Sequence, residues 1–255
     1  MRRVGWGIVL GLVVVAGLAA APVQGQTATP KPLLVLSGPD YLPYADGEHG
    51  LASSIVRSVF QRLNQPITIE SMPWARGFAT VAAGRADATY PYLFTEERAR
   101  SVLYSRPLAA IQQLVFHARD RAFPFATARD LVGRVICAPI GYALPPSLQA
   151  LVAAGESRRE MPQRLDECAT LVLAGRADVF VESDVIGAVA IRRAEATGAI
   201  IPAPQPLATA TLHLIVGKTR PGAAELIARV NAAIAELEHE GVIEDLRNRY
   251  IGSGS

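Results

Sequence analysis

Two cysteines, four histidines and a pair of neighbouring acids are the side chains in this sequence best suited to reactive chemistry. Cys137 and Cys168 form an even pair, which in an oxidising compartment reads first as a disulfide. Two buried free thiols acting as small apolar residues are the alternative. His49, His117, His213 and His239 show no H-E-x-x-H spacing, and none stands near either cysteine at zinc-ligand spacing. No G-x-S-x-G nucleophile elbow occurs. Glu182, Asp184 and His213 remain as candidates for a general acid or base. Neither a metal site nor a cofactor is expected from this inventory.

The elements that must position these residues announce themselves through a repeated phrase. Val81-Ala82-Ala83-Gly84-Arg85-Ala86-Asp87-Ala88 returns 91 residues later as Val172-Leu173-Ala174-Gly175-Arg176-Ala177-Asp178-Val179. Each copy closes an apolar, helix-like stretch with a glycine and then opens a strand-like run, so each predicts a helix-to-strand junction of an α/β layer. Two such junctions imply two similar lobes with a cleft between them, and such clefts bind small ligands. Strands are predicted at Leu33 to Ser37, Ile67 to Ile69, Asp87 to Tyr92, Ala109 to His117, around Cys137, from Val179 and at Leu212 to Val216. Ser105-Arg106-Pro107 reads as a break, and Pro202-Ala203-Pro204-Gln205-Pro206 as a stiff connection. From Pro221 a long helix is predicted, with Leu226, Ile227, Val230, Ile234 and Leu237 on one face and Gly241 at its end.

Arg2 and Arg3 precede an uncharged apolar run from Val4 to about Ala21, and small residues follow Pro22. This is the layout of a cleavable secretory signal over residues 1–25, with a retained membrane anchor as the alternative. Without that segment the chain carries 23 basic and 23 acidic residues. A near-zero net charge argues against nucleic-acid binding.

The order of the segments resembles the extracellular solute-binding proteins of the polar amino-acid family (family 3), with the type II periplasmic binding fold. The likeness rests on Tyr41-Leu42-Pro43-Tyr44, on Gly84-Arg85-Ala86-Asp87 with Thr95-Glu96-Glu97-Arg98 and Tyr104-Ser105-Arg106-Pro107, on Leu131-Val132-Gly133 with Gly141-Tyr142, and on Gly175-Arg176-Ala177-Asp178. It implies an α/β, two-lobed fold with a ligand cleft and two crossovers. Lobe 1 would comprise residues 26–109 and 208–255, and lobe 2 residues 110–207. It also implies that Arg98, in the Thr-x-x-Arg motif, holds a ligand carboxylate, for which a planar guanidinium offers paired donors.

The resemblance places an aromatic ring at Tyr41, with Tyr44 beside it. It places an acid for the ligand's ammonium at Ser183, so either flanking acid, Glu182 or Asp184, would serve, and alternation along a strand would turn both to one side. Tyr90 begins Tyr90-Pro91-Tyr92-Leu93, where many relatives carry small or hydroxyl residues. Pro73-Trp74-Ala75-Arg76 resembles a further branch of the family, with Trp74 as an aromatic face and Arg76 as a second anion partner. Tyr142 joins this ligand-binding set. The implied function is periplasmic capture of a small carboxylate-bearing solute, an amino acid or a related molecule, by a monomer that is not an enzyme and serves an inner-membrane ABC-type transporter permease. The alternatives are a periplasmic enzyme on the same fold, resembling a cyclohexadienyl dehydratase, and a sensory ligand-binding domain.

Overall fold

The computed structural model describes Met1 and residues 31–252. The expected secretory signal therefore falls outside the described residues. Among them, no helix is long and apolar enough to cross a membrane.

The first run contains β1 (Leu33–Ser37), α1 (Leu51–Arg62), β2 (Ile67–Ser71), α2 (Trp74–Ala82) and β3 (Ala88–Leu93). A one-turn helix, α3 (Glu96–Ala99), leads into the long strand β4 (Val102–Ala118). Beyond two 3-10 turns come β5 (Val135–Cys137), α4 (Pro146–Ala153), β6 (Arg158–Glu160), α5 (Leu165–Leu173), β7 (Val179–Ser183) and α6 (Asp184–Arg193). The chain then returns through β8 (Ile200–Pro202) and β9 (Ala208–Gly217) to α7 (Ala223–His239) and α8 (Val242–Ile251).

The strands line up in the order β2-β1-β3-β9-β4-β7-β5-β6, with β8 also paired to β4. At one end β1 runs parallel to β2 and β3, and at the other β5 runs parallel to β6 and β7. The antiparallel pair β4 and β9 lies between these parallel triplets. Each triplet puts the first strand of its own run in the middle, so the two lobes share one local topology.

The repeated phrase is where that equivalence is built. Gly84 and Gly175 follow α2 and α5 with φ of +71° and +69°, a left-handed turn that glycine adopts without a side-chain penalty. Three residues on, Asp87 donates its backbone N–H to Leu34 O and accepts the Leu34 N–H on its carboxylate, both at 2.8 Å. Asp178 repeats this with Val135, at 2.8 and 2.7 Å. In each lobe the aspartate thus fastens the strand it opens to the first strand of its run, so the repeat is structural.

The long C-terminal helix buries the face predicted for it, Leu226, Ile227, Val230, Ile234 and Leu237, against a core that includes Val56, Val59 and Phe60 of α1. Removing such side chains from water contributes about 1.5–3 kcal/mol each. Phe116 and Phe180 stack at 4.8 Å across β4 and β7. A Cβ on Gly187 of α6 would come within 2.2 Å of the Phe116 ring, so that helix crosses closely only because no side chain intervenes.

Two sequence expectations need correction. β4 begins at Val102 and runs through the predicted Ser105-Arg106-Pro107 break. The ladder slips register on both sides of Pro107, and the Arg106 N–H leaves the sheet to donate to Asn231 at 2.6 Å. A proline is tolerated in a strand at such a bulge. The predicted proline-rich connection likewise starts inside β8, whose Pro202 pairs with Phe116. Cys137 and Cys168 form a disulfide with Cα atoms 5.5 Å apart, joining the end of β5 to α5 within one lobe.

Candidate functional site

Short local structures aim the side chains at the cleft. Tyr41 N donates to Ala45 O at 2.9 Å, in a tight turn that closes with Tyr44 N donating to Tyr41 O. That turn holds the Tyr41 ring 5.6 Å from Trp74, which opens α2 directly after Pro73. A Cβ on Gly38 would overlap the Trp74 ring at 2.2 Å, so the indole lies flat against glycine backbone. The Thr95 hydroxyl accepts the Arg98 N–H at 3.1 Å as the N-cap of α3. This gives the threonine of Thr-x-x-Arg its physical reason, because the cap fixes where the arginine leaves the helix.

Arg98 donates from Nη2 to Gly141 O at 2.7 Å and from Nη1 to Leu93 O at 3.3 Å. Its guanidinium lies over the rings of Tyr92 and Phe78, 5.1 and 5.6 Å from their centroids. Among the described residues it makes no ion pair with a carboxylate. Burial lowers its pKa, partly offset by the tyrosines Tyr104 and Tyr92. The chain has brought a cation into the cleft and matched it only with carbonyls and aromatic faces.

Glu182 is its counterpart of opposite sign. It lies near the end of β7, opposite Leu114 of β4, and is only 4% exposed. Tyr41 donates its hydroxyl proton to Glu182 Oε1 at 3.1 Å, and the Ser183 N–H donates to the same oxygen at 2.8 Å. Burial pushes its carboxyl up from 4.5 to about 7, against these two donors. Burial likewise raises Tyr41 and Tyr142, with the Glu182 charge adding to both.

Tyr41, Trp74, Arg98, Tyr142 and Glu182 line one central cavity of about 40 Å³. That is roughly room for two or three water molecules. Larger spaces of about 480 and 590 Å³ flank it. Both flanking spaces border Ala75 and Tyr142.

The other sequence-predicted residues lie elsewhere. Tyr44 packs behind Tyr41 at 5.8 Å, with burial, then the nearby acids Asp184 and Glu182, raising it to about 12. Tyr90 is fully buried and donates to Gly47 O at 3.3 Å. Arg76 is exposed and borders the 480 Å³ space. Asp184 is exposed and does not share Glu182's side, contrary to the expected alternation. The strand ends at Ser183, whose hydroxyl caps α6, so Asp184 already belongs to the helix. Sequence reasoning passed over Tyr92, Gln113 and Arg159. Tyr92 donates to Trp74 O at 2.7 Å and, with Gln113, lines the central cavity. Two of these had a signal: Tyr92 stands in the quoted Tyr90-Pro91-Tyr92-Leu93 segment, and Gln113 is a polar residue inside an apolar strand.

No curated protein matches this sequence. Among solved structures, the sensor domain of a histidine kinase, described as similar to periplasmic binding proteins, has a TM-score of 0.76 at 23% identity, covering 88% of this chain and 97% of its own. A mutant of ArgBP from T. maritima gives 0.72 at 18% identity, covering 87% and 95%. An ancestral arginine-binding protein bound to arginine gives 0.73 at 15% identity, covering 88% and 100%. At these identities the likeness is one of fold, the two-lobed fold of periplasmic binding proteins. The model of the bacterial extracellular solute-binding proteins, family 3, matches residues 34–253, and the chain belongs to that family.

Proposed function

We propose that this protein captures a small carboxylate-bearing solute, an amino acid or a close relative of one, in the periplasm and delivers it to an inner-membrane ABC-type transporter. One observation carries the reading: Arg98 and Glu182 line the same cavity, of opposite charge, each without an ion-pair partner among the described residues. A carboxylate on the guanidinium and an ammonium on the Glu182 carboxylate would satisfy both, while Tyr41, Trp74 and Tyr142 enclose the rest. The arginine-binding proteins of like fold support this. Lobe 1 then comprises residues 26–109 and 208–255 and lobe 2 residues 110–207, hinged on β4 and β9. No covalent chemistry is asked of any residue.

A thermal-shift screen of the purified protein against amino acids, short peptides, dicarboxylates and aromatic acids tests the reading. A ligand at 100 times its Kd adds about 2.7 kcal/mol, a rise of roughly 5–10 °C for a chain of this size. Arg98→Ala should abolish that rise, and an unchanged affinity in this variant refutes the site.

The raised carboxyl of Glu182 also suits a general acid, which favours a dehydratase-like enzyme as second reading. Turnover of prephenate or arogenate would promote it. The sensor domain of like fold keeps a signalling partner in view in place of the permease, and co-purification from membranes separates the two.

A further inference from the structure

Arg159 has no role in the reading above. It lies on β6 and its Nη2 donates to three carbonyls, Ala138 O at 3.3 Å, Pro139 O at 3.2 Å and Tyr142 O at 2.9 Å. Its Nε is buried with no hydrogen-bond partner. Arg98 reaches the neighbouring carbonyl, Gly141 O, from the other lobe. Consecutive carbonyls of one loop are therefore gripped by two arginines from different elements.

Arg98 and Arg159 both line the same space of about 590 Å³. Arg159, like Arg98, makes no ion pair among the described residues. The acids on this wall, Glu96 and Glu97, are exposed and pair with neither. Burial lowers the pKa of Arg159, and the nearby charge of Arg98 lowers it further. Two partly desolvated cations facing one space are each unfavourable, and an anion between them relieves both at once.

Resting on the solute-capture reading, we propose that the 590 Å³ space receives a second acidic group of the solute, held by Arg159 together with Arg98. The ligand class is then a small acid with two carboxylates, either a dicarboxylate or an amino acid with an acidic side chain. This space adjoins the central cavity through Arg98, Gly141, Tyr142 and Ala143, which border both. A ligand can therefore place one carboxylate on the inner side of Arg98 and its second acid beyond it.

The test is calorimetry on the purified protein with matched pairs: L-glutamate against L-glutamine, L-aspartate against L-asparagine, and glutarate against butyrate. The acid of at least one pair should bind about tenfold or more tightly than its partner, the scale of one charge-assisted hydrogen bond. Arg159→Gln should erase that preference, and Arg159→Lys should keep part of it. Equal affinity within every pair that binds overturns the proposal, as does a preference that survives in a folded Arg159→Gln. The unaltered protein decides the matter even where Arg159→Gln fails to fold. If none of the six binds, the two-carboxylate proposal fails, while binding of another monocarboxylic acid that needs Arg98 leaves the solute-capture reading standing.

Discussion

Glu182 shows how one buried group can tie stability and binding together. Burial raises its carboxyl from 4.5 to about 7. Below pH 4.5 folded and unfolded chains both hold the proton. Between 4.5 and 7 the folded chain keeps a proton that the unfolded chain releases, so this contribution to stability is full below 4.5 and lost as pH rises through 7. The loss is on the order of 3 kcal/mol. Glu182→Gln does not titrate, so its melting temperature should gain on the parent protein as pH goes from 5 to 8. A difference between the two that stays constant with pH refutes the assignment. An ammonium-bearing ligand should lower the same pKa, and its binding near pH 7 should release a proton, read as a buffer-dependent enthalpy that vanishes in Glu182→Gln. The acid was visible in sequence only as one of two candidates. What separated them was the point at which β7 stops and α6 starts, and strand alternation does not specify that point. Arg159 left no signal at all, because its position beside Arg98 depends on the packing of β6, a three-residue strand with no periodicity to read.

At the scale of elements, the repeated phrase was legible because its requirements are local. A glycine must turn left-handed, and an aspartate three residues on must reach a backbone N–H. The junctions, the parallel strands beside them and the apolar face of α7 follow from such short-range needs. The course of β4 does not: Pro107 argues locally for a break, and only pairing with β9 and the Asn231 side chain make a bulge acceptable. Asp178→Ala should destabilise the protein by about 1–2 kcal/mol in urea unfolding, through the unmet Val135 N–H. Asp87→Ala should cost more, since Asp87 also accepts from Arg220 at 2.8 Å at a part-buried site, whereas Asp178 faces Arg134 only at 3.8 Å. Equal losses would show that Arg220 adds nothing to this junction.

For the whole molecule, the decisive contact is between backbones across the cleft. Gly141 has φ of +84°, and a Cβ there would come within 2.6 Å of Ala75 N and 2.9 Å of Trp74 Cβ. This close approach of Gly141 to the start of α2 therefore depends on a missing side chain. The Arg98 hydrogen bond to Gly141 O forms at the same place, and an ion pair between Asp40 and Arg193 at 3.0 Å spans the cleft farther out. Exposed as it is, that pair contributes little, whereas the buried Tyr41–Glu182 hydrogen bond at 3.1 Å also spans the cleft, so closure rests on the Gly141 approach, on that bond and on whatever ligand lies behind them. A central space of about 40 Å³ holds only a few water molecules. On the solute-capture reading, the lobes part about β4 and β9 to admit the solute, and the ligand shifts the population toward a closed form that keeps the Gly141 approach while leaving room for it. Gly141→Ala should therefore leave the secondary structure intact yet weaken binding of any solute found in the screen by about tenfold or more, the scale of a conformational equilibrium shifted by 1.4 kcal/mol. Small-angle scattering gives the independent readout: added solute should contract the parent protein and fail to contract the variant. Contraction of Gly141→Ala equal to that of the parent would place the closing contact elsewhere.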